Sequence, residues 1–103
     1  MNGKSIEVNS IVIAYLESPR EKYFGIILSM KSTGIVLRGM KMESFEDWLR
    51  EVAKGKGESS VSTFFFPWRR VEKLILDEDK EEILSLSEIF RRRVGRSIKD
   101  FLL

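Results

Sequence analysis

Trp68, Arg69 and Arg70 are adjacent in this chain. An aromatic ring beside two guanidinium groups can stack a nucleobase and hold its phosphates. The same triplet also fits a Trp packed on the rim of a domain with its arginines in solvent. A second basic cluster is Arg91-Arg92-Arg93 with Arg96 and Lys99. On a helix, Arg92, Arg96 and Lys99 share one face able to meet a phosphate backbone. The alternative is a solvated face ion-paired with the acidic Asp77–Glu82 segment. Trp68, Arg69, Arg70, Arg92, Arg96 and Lys99 are therefore the candidate nucleic-acid contacts. Phe64, Phe65 and Phe66 are consecutive and cannot all enter one core, because strand neighbours point to opposite faces. At least one is expected to face a subunit, a helix or a ligand, which makes the three the candidate oligomer interface.

Other chemistries lack their residues. The chain has no Cys and no His. That removes disulfides, thiolate metal sites, the commonest general base and the commonest transition-metal ligand. Carboxylates occur close together, as Glu43 with Glu46 and Asp47, and Asp77 with Asp79, but in no ordered ligand spacing. No strained Ser elbow, Gly-rich phosphate loop or paired-acid motif is visible, although a Ser–Lys pair needs no His. The expectation is a non-catalytic binding protein with no cofactor, no metal and no small-molecule substrate. The net charge of +2 does not by itself announce a nucleic-acid partner. The start Met1-Asn2-Gly3-Lys4-Ser5 is polar with no apolar signal region behind it. No apolar run approaches the ~20 residues of a membrane span. A cytoplasmic protein with no membrane partner is expected.

The elements that must position these residues are mostly strands. A length of 103 residues makes one domain. Ile6 to Glu17 alternates with a period of two and is rich in β-branched residues. Lys22 to Met30 and Ile35 to Met42 follow as a second and third strand, separated by Lys31-Ser32-Thr33-Gly34. Gly25 and Gly39 lie inside neighbouring strands, where glycine signals a bend or a close backbone approach. Ser44 and Asp47 have capping-box spacing ahead of an apolar stripe of Phe45, Trp48, Leu49 and Val52, and Gly55 can end that helix. The stripe fits either a partner or the domain's own core. Gly55 to Ser60 is a loop, Val61 to Phe66 a fourth strand ended by Pro67, and Val71 to Leu76 a fifth. Ser85 with Glu88 opens a further helix that Gly95 stops, and Ser97 begins a last turn.

The stretch from Val12 to Met40 resembles the first half of an Sm/LSm barrel, with Gly25 and Ile27 in Tyr23-Phe24-Gly25-Ile26-Ile27-Leu28 matching that family's second strand. Phe64-Phe65-Phe66, then Val71 and Leu74-Ile75-Leu76, resembles its two closing strands joined by a very short turn. The chain also resembles a group of bacterial Sm-like proteins in which Ser44-Phe45-Glu46-Asp47-Trp48 and the Phe66-Pro67 stretch recur. The likeness covers residues 11–76. It implies a mainly β (α+β) fold: a five-stranded, strongly bent antiparallel small barrel over 6–76. The capping and periodicity signals add a short inserted helix at 45–53 and helices in 77–103, the latter outside the family's pattern. The likeness also implies RNA binding or scaffolding by a homo-oligomer, in which edge strands of neighbouring copies pair into a ring. Sm proteins hold a nucleotide with an Asp and an Asn between strands two and three, and with an Arg-Gly pair between strands four and five. Here those stretches are Met30-Lys31-Ser32-Thr33-Gly34 and Pro67-Trp68-Arg69, and Arg38-Gly39 lies in another strand. A protein–protein assembly module of the same shape, without nucleic-acid affinity, is the alternative.

Overall fold

The computed structural model describes residues 4–56 and 60–103. One antiparallel sheet contains β1 (Ile11–Leu16), β2 (Glu21–Met30), β3 (Gly34–Lys41), β4 (Ser62–Pro67) and β5 (Val71–Leu76). Helix α1 (Phe45–Ala53) joins β3 to β4, and α2 (Leu86–Val94) and α3 (Lys99–Leu102) follow β5. The fold is α+β and mainly β.

The first strand is shorter than its pattern suggests. Asn9 has φ 77° and its N–H donates to the Ile27 carbonyl at 2.8 Å, while the Ser10 N–H returns to the Glu7 carbonyl at 2.9 Å. Asn tolerates this left-handed backbone and Ser supports a local turn, so turn chemistry overrides the alternation before Ile11.

Across the sheet the order is β4-β3-β2-β1-β5, so β4 and β5 are opposite edges although consecutive in the chain. In a flat sheet, four strand spacings would part them by about 19 Å. Only Trp68–Arg70, a 3₁₀ turn, joins them. At about 2 Å of rise per residue that link spans roughly 8 Å. The sheet must curl. No ladder joins β4 to β5 among the described residues, so the curl stays open.

Two glycines permit the curl. Gly25 and Gly39 face each other in register on β2 and β3. A Cβ on Gly39 would stand 1.9 Å from the Phe24 carbonyl oxygen, and one on Gly25 2.4 Å from that of Arg38. Any side chain would force these backbones apart. An irregular register between Ile27 and Ser29 marks a bulge, which bends β2 further.

A curled sheet has two faces to bury. On the inner one, Val12, Ala14, Leu16, Tyr23, Ile27, Ile35, Leu37 and Phe66 cluster, with Phe64 from one edge and Val71, Leu74 and Leu76 from the other packed against them. On the outer one, Ile11, Phe24, Ile26 and Met40 meet α1 through Phe45, Trp48, Leu49 and Val52. Phe90, Ile98 and Leu102 complete that layer. Trp48 stacks on Phe90 at 5.2 Å between ring centroids, which ties α1 to α2. The apolar stripe of α1 thus covers the domain's own core.

Helix ends follow their chemistry in three cases of four. The Ser85 hydroxyl accepts the Glu88 N–H at 3.0 Å, and Gly95 (φ 84°) and Gly55 (φ 86°) take the left-handed conformation after α2 and α1. Ser44 forms no capping bond. It ends a 3₁₀ turn (Met42–Ser44), and its own backbone, at φ −90° and ψ −8°, is already helical rather than in the extended conformation of a capping residue. The loop expected over 55–60 falls partly outside the described residues.

Candidate functional site

The corner between β4 and β5 is fixed at both ends. The Trp68 backbone N–H donates to the Thr33 carbonyl at 3.2 Å, and its indole Nε1 donates to the Lys31 carbonyl at 2.7 Å. The Glu17 N–H donates to the Arg70 carbonyl at 2.9 Å. The link is thereby tied to the β2–β3 turn and to the end of β1. Arg70 belongs to this framework. Its guanidinium lies 2.7 Å from Glu21 Oε1, and Lys41 approaches the other oxygen at 3.5 Å. The hydrogen bond from Arg70, aided by Lys41, holds the Glu21 carboxyl below its ordinary range. Arg69 is exposed and has no ion-pair partner among the described residues, and Trp68 is 36% exposed. Of the triplet, Trp68 and Arg69 are therefore accessible, while Arg70 is a framework cation.

The second basic cluster does not form one face. Gly95 ends α2, so of Arg92, Arg96 and Lys99 only Arg92 lies on that helix; Arg96 is in the following link and Lys99 opens α3. The even spacing of Arg92, Arg96 and Lys99 holds only for an unbroken helix, and the left-handed glycine breaks it. Arg92 and Arg91 both pair with Glu88, at 3.0 and 2.5 Å. Arg96 lies 3.6 Å from Asp100 and sits 4.9 Å from the centroid of the Phe101 ring.

Hydrogen bonds from Arg91 and then Arg92 lower the Glu88 carboxyl from 4.5 to about 2. A carboxyl depressed on folding stabilises the fold above its unfolded value, and that contribution fades as pH falls from 4.5 towards 2. An NMR titration of the Glu88 side chain is expected to give a midpoint near 2. A midpoint near 4.5 would show that these surface pairs do not persist in solution.

The three phenylalanines divide. Phe64 and Phe66 each lie 4.8 Å from Tyr23, inside the curl. Phe65 points outward, 50% exposed. Its ring lies over Gly34, where a Cβ would come within 2.6 Å of Phe65 Cζ. The outward ring therefore stands on an edge strand, beside the turn that also holds Trp68.

Asp77 caps α2 from outside it: its carboxylate accepts the Leu86 and Ser87 N–H groups at 2.8 and 2.9 Å and the Ser87 hydroxyl at 2.7 Å. Asp79 accepts the Ser85 N–H at 2.8 Å. The spacing of nine residues from Asp77 to Leu86 carries no local signature. The acidic segment thus serves helix geometry. No group of three or more acidic side chains is placed to hold a metal ion among the described residues, and no described helix is long and apolar enough to cross a membrane.

A cleft of about 560 Å³ lies between the Glu7–Ser10 turn, the end of β5 and the starts of α2 and α3. Glu7, Asp77 and Glu88 there oppose Arg91 and Lys99, and Asp77 and Glu88 already have partners. Its charges offset one another. No protein-family model, curated protein or solved structure matches the chain.

Proposed function

We propose that this chain is a non-catalytic, Sm-like binding module that works as a homo-oligomer built through its open sheet edges. The carrying observation is the pair of unpartnered edges, β4 and β5, brought towards each other by a three-residue link and left unjoined. Bare ladder groups on an edge invite another strand. The outward Phe65 on β4 adds apolar area at that edge. The hairpin order, the paired glycines and the 3₁₀ link support the likeness to an Sm barrel, in which such edges pair into rings. RNA is a second reading, favoured by the accessible Trp68 and Arg69 at one corner.

Light scattering on the purified chain is expected to give a mass several times that of one copy, and Phe65→Lys to reduce it towards one. A native chain that stays monomeric at high concentration would sink the assembly reading. In the same preparation, a labelled U-rich or A-rich oligonucleotide should shift at low salt and be released as salt rises, if RNA is the ligand. An assembled protein with no shift leaves the protein–protein module.

A further inference from the structure

We propose that the cleft between α1, α2 and α3 binds a small amphiphilic carboxylate. The cleft measures about 430 Å³. That is within the range of small-molecule sites. Its apolar wall comes from Trp48 and Val52 of α1, Val94 of α2 and Phe101 of α3. Its charged side chains are Lys56, Arg93 and Arg96, with no carboxylate among the described lining residues.

Part of this charge has no ion-pair partner among the described residues. Arg91 and Arg92, on the same helix, pair with Glu88. Lys56 and Arg93 pair with nothing among the described residues, and Arg96 meets Asp100 only at 3.6 Å. Basic residues after helix C-termini partly answer the helix dipoles, which accounts for one cation at each of α1 and α2. It does not account for the opening. The cleft opens to solvent, and of its apolar lining Trp48 and Val52 are buried while Val94 and Phe101 are half-buried. An apolar chain of about eight carbons would lie against Val52, Val94 and Phe101, with its carboxylate towards the two arginines and Lys56. The larger cleft has no such imbalance, since its own acids oppose its bases. This inference is independent of assembly at the sheet edges, so either can fail alone.

The test is titration of the isotope-labelled full chain with octanoate, followed by NMR. Saturable shifts of the Trp48 indole N–H and of the Val52 and Val94 amides are expected, with Kd below about 1 mM. Octyltrimethylammonium, of similar apolar length and opposite charge, should not compete. The double variant Arg93→Gln with Arg96→Gln should bind at least about tenfold more weakly while melting within a few degrees of the parent. Absence of saturable shifts in the folded parent overturns the proposal. Equal binding of the cation, or unchanged affinity in a double variant shown by its spectrum to be folded, overturns it as well. Should that variant fail to fold, Lys56→Gln and the cation control decide on the same criteria.

Discussion

Replacing Gly39 by alanine is expected to destabilise the domain by about 3 kcal/mol or more, because the new methyl has nowhere to go. Its position lies 1.9 Å from the Phe24 carbonyl oxygen and 2.6 Å from the Gly25 Cα. These are backbone atoms, so no rotamer change can relieve the overlap. Strands β2 and β3 would have to separate in the middle of their ladder, which loosens the bend and pulls the inner cluster apart. For a domain of this size each kcal/mol moves the melting temperature by roughly 4–8 °C, so a fall of roughly 12 °C or more should be seen by circular dichroism. Gly55→Ala is the matched control. Gly55 has φ 86° but nothing within 4 Å of its added Cβ, so only backbone strain of about 1 kcal/mol applies. If Gly39→Ala melted no lower than Gly55→Ala, the close approach of the two strands would be wrong.

These glycines also show what sequence reading can and cannot reach. Gly25 and Gly39 stand inside strong β patterns, where glycine has little reason to be unless backbones crowd, so the bend is legible from residue type. The break at Pro67 and the helix stops at Gly55 and Gly95 are legible for the same reason: each residue limits its own backbone. Ser44 and the basic cluster are misleading because spacing motifs assume a regular element. A preceding 3₁₀ turn alters the first, and Gly95 interrupts the second. Asp77 and the cationic cleft escape sequence altogether. The cap joins residues separated by a loop, and the cleft draws its cations and apolar wall from three helices and their ends. Which of Arg69 and Arg70 is ion-paired is not legible from their adjacency either, because it is decided by the position of Glu21, about fifty residues away in sequence.

Trp48→Ala is expected to cost about 3–5 kcal/mol, the largest effect of any truncation in the helical layer. Trp48 is 1% exposed, lies 6.1 Å from Phe45 and stacks on Phe90 at 5.2 Å, so its loss empties the junction where both α1 and α2 rest on the sheet. Trp68 provides the contrast. It is 36% exposed, and its chief specific interaction is the indole bond to the Lys31 carbonyl, worth about 1 kcal/mol. Chemical denaturation should therefore separate the two variants clearly. The shape of the transition matters as much as its midpoint. The outer cluster contains strand residues Phe24, Ile26 and Met40 together with helix residues Phe45, Trp48 and Phe90, so helices and sheet share one core. Their signals should be lost together in Trp48→Ala, in one transition displaced to lower denaturant. A variant that loses its helical signal first, while the sheet persists, would show that the curled sheet stands without its helices. The C-terminal segment would then be an appendage to the fold rather than part of its core.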